Sequence, residues 1–504
     1  MPEKSFFQPD HSKAVSSNES AVHLCTLLTV VVIGIVVRMM FLFQPMRYDE
    51  AFTFLKFASP PLAEGLSDYS YPNNHLFHTL LVHGAYLALG NRPWVIRLPA
   101  LFAGVLLIPA GYLAARAFYG KHTALLVAAM ISASSSLIEY STNARGYTLV
   151  TLIFIALLVV GASLAQEDKL IRWVAWTVLS AVGFYTIPIM LYPFGVVMGW
   201  LCLSILCKDP SFRRGPRIRR LVIALGIVIF LTLALYAPVF LSSGLSPVVA
   251  NRFVAPKPWD EFAARLSGSL LSVWRQWNRD LPWGIGVVLV AGFCVGSLFH
   301  RRLSSYRVPI VVAAAVWLVP VLLLQRVVPF EREWLFLLPL YFMVASAGLV
   351  YGLNILESKI LRLSFLVAIV SVALSLWLSL GVIASQSVYY SDETGTLRDA
   401  EAITWYLQGH LESGDRILAP VPSDAPLVYY FDLHGISREY LTADLVAVQR
   451  IIAVVNLSDH QTLRALLDRT KIEQAEFGAP RMIRRYESAV LYQMDKTGPG
   501  KVER

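Results

Sequence analysis

Residues 24–50 read LCTLLTVVVIGIVVRMMFLFQPMRYDE. The stretch 24–44 carries a single charge, Arg38. It is long enough to cross a bilayer as a helix, which takes about 20 apolar residues. The run ends in Arg47-Tyr48-Asp49-Glu50. An acidic pair at the mouth of an apolar span is either part of a solvated loop or the seat of chemistry at the membrane surface. Which of these it is depends on the rest of the chain.

The whole chain has 504 residues, of which 56% are hydrophobic and 15% charged. Soluble domains lie nearer 45–50% apolar and about 25% charged. Apolar runs recur near 24–44, 96–118, 122–140, 147–165, 171–187, 189–207, 220–241, 283–299, 308–327, 333–353 and 363–384. A twelfth, 76–90, is short and holds His78 and His83, which suits a juxtamembrane or re-entrant helix better than a span. The fold class expected is therefore a polytopic α-helical membrane protein with about eleven transmembrane helices. The net charge of +9 does not indicate nucleic-acid binding. Its Lys and Arg sit in short loops between apolar runs, the pattern of cytoplasmic loops. The four cysteines, Cys25, Cys202, Cys207 and Cys294, fall within the apolar runs and show no metal-ligand spacing.

Charge orients the chain. The basic loops are Arg116–His122, Lys169–Arg172, Lys208–Arg220 (with Arg213, Arg214, Arg217 and Arg219), His300–Arg307, and Lys359 with Arg362. Placing all five inside and alternating the spans puts the N-terminal tail, 1–23, inside as well, where Lys4 and Lys13 agree. No small-residue cleavage site follows the first run, so it reads as a retained signal anchor. Segments 45–95, 141–146, 242–282, 328–332 and the tail after 385 then face outward. The expected organisation is a transmembrane domain over 24–384 with outer loops 45–95 and 242–282. A small α/β domain follows over 385–504, with a helix at Arg398–Leu411, strands at Asp415–Ala419 and Ile451–Val455, and a helix at Ala425–His434 between those strands. A helix at Leu463–Asp468 and a last strand at Ser488–Met494 complete it. It has no Gly-rich phosphate loop.

Several polar groups converge on the outward face. Neighbouring helical residues point about 100° apart, so only one of Asp49 and Glu50 can face a reacting centre. Asp49 is the candidate general base, with Glu50 in support. Tyr71-Pro72-Asn73-Asn74-His75 supplies donors and acceptors for sugar hydroxyls or phosphate. Arg97, Arg145 and Arg332 could grip a phosphate through their planar, permanently charged forks; singly, each also fits interfacial snorkelling. Arg38 reads as a snorkelling or ion-pair residue. The Asn251, Arg252, Trp259, Trp274, Arg275, Gln276 and Trp277 group reads as an interfacial aromatic belt, with sugar stacking as the alternative.

The order of these features carries a resemblance. An Asp-Glu pair follows the first span, then a polar Pro-containing segment opening a short helix, then Arg97-Leu98-Pro99-Ala100, then Tyr140-Ser141-Thr142-Asn143-Ala144-Arg145-Gly146-Tyr147. This resembles the bacterial branch of the dolichyl-phosphate-mannose protein mannosyltransferase superfamily, with the lipid A aminoarabinose transferases as relatives. The likeness is strongest over about 40–165. It implies a GT-C fold glycosyltransferase, working at the outer face of the plasma membrane. Its sugar would come from a polyprenyl-phosphate donor and pass, with inversion, to a hydroxyl on a glycan, lipid or protein acceptor.

The resemblance implies Asp49 and Glu50 as the catalytic pair and Arg97, Arg145 and Arg332 as donor-phosphate ligands, with Tyr71, Asn73, Asn74, His75 and Tyr147 around sugar or acceptor. The family's His-Pro-Pro or Lys-Pro-Pro segment is replaced here by Tyr71-Pro72-Asn73-Asn74-His75, so a lysine or glutamate that could touch phosphate or metal is missing. No cofactor is required on this reading, and a divalent metal has no ligand set in the sequence to support it. The competing expectation is a transporter or flippase of a lipid-linked glycan, which calls for mid-membrane charges and an internal repeat.

Overall fold

The computed structural model describes residues 17–207, 214–249, 255–356, 363–393, 395–441, 448–470 and 476–497. Lys4, Lys13, Lys208, Arg213, Asn251, Arg252, Lys359 and Arg362, used above for orientation or as loop candidates, lie outside them.

Each of the eleven apolar runs forms a helix, as a bilayer demands of a chain whose backbone polar groups must pair internally. Seven are long and apolar enough to span: Ala21–Leu42, Pro93–Tyr119, Tyr147–Gln166, Pro188–Leu206, Arg214–Ser242, Leu337–Ile355 and Leu363–Ser385. The run 122–140 is a bent pair, Lys121–Ala133 and Ser135–Ser141, broken by 60°, and makes an eighth if counted as one span. The other three, Leu170–Thr186, Trp283–Leu298 and Ile310–Gln325, are 17, 16 and 16 residues long. Hydropathy alone marks eleven runs, and length separates them. The short apolar helix at 76–90 is present as Leu76–Leu89, 14 residues.

The chain divides into two compact units. The larger comprises residues 1–42, 66–81 and 97–389 and holds most of the apolar helices, around a large buried core with two smaller clusters beside it. The smaller comprises residues 43–65, 82–96 and 390–504. It therefore contains the segment that carries Asp49 and Glu50 as well as the C-terminal tail.

In the smaller unit four strands form one sheet, β1 (Asp415–Leu418), β2 (Arg450–Asn456), β3 (Arg481–Arg485) and β4 (Ala489–Asp495), in the order β1-β2-β4-β3. β1 and β2 are parallel, and β4 is antiparallel to both neighbours. Helices Ala400–Gln408, Asp424–His434 and Leu463–Thr470 fall where the periodicity places them. The short helix Tyr48–Thr53 packs on Asp424–His434. The Met46 N–H donates to the Tyr430 hydroxyl (3.3 Å), the Tyr48 N–H to the Gly395 carbonyl (3.0 Å), and the Phe54 ring meets Tyr429 edge-on at 5.7 Å.

Arg38 accounts for the broken span in the larger unit. It is fully buried and neither snorkels nor pairs with an acid in its described bonds. Its guanidinium donates to the carbonyls of Ile131 (3.2 Å) and Ser132 (2.9 Å), at the end of Lys121–Ala133, to Gly34 O (3.0 Å) and to Ser141 Oγ (3.2 Å). The last carbonyls of any helix lack intrahelical partners, and in an apolar interior an unpaired one is costly. A cation also suits the negative end of the helix dipole. Gly104 makes room for this strap: a Cβ there would meet Ser141 Oγ at 2.0 Å and Arg38 Nε at 3.2 Å. Replacing Arg38 by Met should lower the stability of the detergent-solubilised protein by roughly 3 kcal/mol, the scale of hydrogen bonds to a charged group. Thermal unfolding reads this out, and an unchanged midpoint would mean that the break does not depend on Arg38.

Candidate functional site

The break changes the direction of the chain. Ser135–Ser141 leads into the turn Thr142–Gly146 and then into the 20-residue helix Tyr147–Gln166. Ser135–Ser141 is tied to the amphipathic helix Trp259–Trp277 and the turn after it. The Ser136 hydroxyl donates to Gln276 O (2.9 Å), Gln276 Nε2 to the Tyr140 hydroxyl (3.3 Å), and Arg279 Nη2 to Glu139 Oε2 (2.7 Å). Glu139 is fully buried, and Arg279 sets a cation against its carboxylate where the dielectric is low.

Five sequence candidates meet at the head of Tyr147–Gln166. Arg145, 1% exposed, donates through Nη1 to the Asn73 carbonyl (3.0 Å), and its Nη2 lies 3.2 Å from His75 Nε2. The Gly146 N–H donates to His75 Nδ1 (2.8 Å). Only glycine permits this approach, since a Cβ at 146 would fall 2.9 Å from Thr186 Cγ2 and 3.0 Å from His75 Nδ1. Tyr147 sits between two guanidinium groups, with Arg145 and Arg332 each 5.8 Å from its ring centre, and its hydroxyl accepts from Arg332 Nε at 3.0 Å. The His75 ring meets Tyr147 edge-on at 5.0 Å.

The protonation of His75 follows from its surroundings. Burial first, then Arg145, His78 and Arg332, hold it well below the usual imidazole range, so the ring is neutral. A neutral imidazole has one N–H and one acceptor nitrogen. Gly146 takes the acceptor, Nδ1, which places the proton on Nε2, facing Arg145. Two N–H donors 3.2 Å apart thus face each other, an arrangement that an anionic oxygen accepting from both would relieve.

The remaining candidates are placed as follows. Asn74 is fully buried and spent on its own loop: Nδ2 donates to Asp68 O (2.7 Å) and Oδ1 accepts from the Thr79 hydroxyl (2.8 Å). Tyr71 is exposed. Arg97, fully buried, donates to Leu42 O (2.7 Å), closing the end of the first span. In the smaller unit Glu50 is fully buried and Asp49 8% exposed. Glu50 Oε2 accepts the Arg47 N–H (3.0 Å), capping its own helix, while the Arg47 guanidinium donates to Glu393 O (3.2 Å) and Gln44 Oε1 (3.3 Å). In the loop 242–282, Trp259 and Trp274 are exposed and Trp277 stacks on Tyr341 at 6.2 Å.

Sequence reasoning passed over Glu139 and Asn143. Glu139 is the one carboxylate inside the run 122–140, and a carboxylate in a membrane run is a signal in itself.

No family profile matches the chain, and no curated protein is significantly similar to it. Solved structures are similar in fold. ArnT from Cupriavidus metallidurans in the apo state superposes with a TM-score of 0.61 at 13% identity, over 92% of this chain and 97% of ArnT. The same protein bound to undecaprenyl phosphate gives 0.58 at 13% identity, over 95% and 98%. The fold shared with ArnT is the GT-C membrane fold.

The neutral His75 makes a pH prediction. Its folded pKa lies below its unfolded value near 6.5. Its contribution to stability is therefore present above that pH and lost as pH falls through it, because the unfolded chain takes up the proton. His75→Asn should flatten the fall of the melting temperature below pH 6.5; parallel curves for the two proteins would contradict a buried neutral ring.

Proposed function

We propose that the protein is a membrane glycosyltransferase that moves a sugar from a polyprenyl-phosphate donor to an acceptor hydroxyl at the outer face of the plasma membrane. The observation that carries this reading is the opposed pair Arg145 and His75, with Arg332 bound to Tyr147 beside it. It occurs in a chain whose fold matches that of an undecaprenyl-phosphate-bound neighbour along nearly its whole length.

The chemistry asks little of the protein. The acceptor oxygen attacks the anomeric carbon from the face opposite the phosphate. The bond from that carbon to the phosphate oxygen breaks, its electron pair leaves on the phosphate, and configuration inverts. A phosphate leaving group needs charge stabilisation rather than a proton. Arg145, Arg332 and the His75 Nε2–H supply this as donors already in place. The acceptor's proton goes to a carboxylate. Asp49 takes this part on our reading, because Glu50 is committed to capping its helix. Arg97, bonded to the end of the first span, has a structural part.

Asp49→Asn should reduce turnover by about 10²–10⁴-fold, the range for a lost general base. The measurement is release of undecaprenyl phosphate in proteoliposomes supplied with lipid-linked sugar donors and an acceptor extract. Glu50→Gln should act mainly by lowering stability. Full turnover in Asp49→Asn would remove Asp49 from the mechanism.

A further inference from the structure

The turn at the head of Tyr147–Gln166 holds a group that phosphate binding does not explain. Asn143 is fully buried, yet neither its Oδ1 nor its Nδ2 has a hydrogen-bond partner among the described residues. Its backbone is in use: the carbonyl accepts the Arg145 N–H at 2.7 Å. Thr148, three residues after Arg145 in the chain, is also fully buried, and its Oγ1 has no partner among the described residues. A helix-interior threonine can satisfy itself on a carbonyl one turn back, as Thr151 does on Tyr147 O at 2.9 Å. Thr148 does not.

Buried polar groups are normally paired, and each exception needs a reason. An unmet amide lowers stability, so its presence at a ligand site suggests a ligand that completes it. The type of group narrows the ligand. Phosphate oxygens only accept, and the two arginines and the imidazole N–H already match them. An amide presents a donor and an acceptor side by side, and a hydroxyl side chain does both at one atom. Their complement is a ligand that both gives and takes, as sugar hydroxyls do.

We infer that Asn143 and Thr148 hold hydroxyls of the sugar being transferred, so that this turn selects the donor's sugar while Arg145 and Arg332 hold its phosphate. The inference rests on the proposed phosphate site and adds a specificity site to it. It makes the donor a lipid phosphate whose sugar keeps free hydroxyls near the anomeric carbon.

The test uses the full chain in nanodiscs, as wild type, Asn143→Leu and the isosteric Thr148→Val. Undecaprenyl phosphate alone and a panel of synthetic undecaprenyl-phosphate hexoses and pentoses serve as ligands. Without ligand, both variants should melt at or above the wild-type temperature, because an unmet polar group has been removed. Both should bind undecaprenyl phosphate within about twofold of wild type. Both should lose about tenfold or more in affinity for the panel member that wild type binds best, as sites built to bond a hydroxyl do when the bond is lost. A lower melting temperature would show the groups to be structural and overturn the inference. Equal losses for bare and glycosylated lipid would move them to the phosphate, and unchanged affinities, or no panel member bound better than undecaprenyl phosphate, would overturn it as well. Wild type failing to bind undecaprenyl phosphate would instead remove the phosphate site, and this inference with it.

Discussion

A helix that breaks inside an apolar core exposes carbonyls that nothing in a bilayer can satisfy. Arg38 answers those of Ile131 and Ser132. Much of the site in the larger unit depends on that strap. Because the run bends by 60° between Lys121–Ala133 and Ser135–Ser141, the chain can tie Glu139 to Arg279, turn at Thr142–Gly146, and begin Tyr147–Gln166 with Arg145 and Tyr147 at its head. A straight helix through 122–140 would give an anchor without a site.

On the proposed reading, the polar groups at that head are arranged to receive a negative charge. A guanidinium and an imidazole N–H face each other at 3.2 Å, and a second guanidinium bonds the tyrosine whose ring both guanidinium groups flank. Neighbouring groups of one polarity are expensive to hold together, and catalytic sites hold them that way in advance, so that no reorganisation is needed as charge develops. Gly146 and Asn74 support this arrangement: one lets the imidazole approach the backbone, and the other bonds within the loop that presents it.

Much of this was legible from the sequence, for physical reasons that differ by element. The apolar runs were readable because a bilayer admits helices with little choice, although length separates seven of them from the rest. β1, β2 and β4 carry a buried face and were readable, whereas β3, RMIRR, is largely exposed at the sheet edge and has no apolar signature. Arg145, His75, Tyr147 and Arg332 were found as polar residues at span ends. Arg38 was misread because its partners lie more than 90 residues away. For the same reason nothing local foretold that residues 43–65 fold with the C-terminal tail. Asn143 was quoted in a motif but given no part, since only burial reveals that its amide is unmet.

On the proposed function, the head of Tyr147–Gln166 is a phosphate site. A cryo-EM or crystal structure with undecaprenyl phosphate tests it directly. The phosphate should lie within hydrogen-bonding distance of Arg145 and Arg332, with one oxygen accepting from both Arg145 Nη2 and His75 Nε2. A phosphate bound elsewhere, with Arg145 and His75 still in contact, would contradict it.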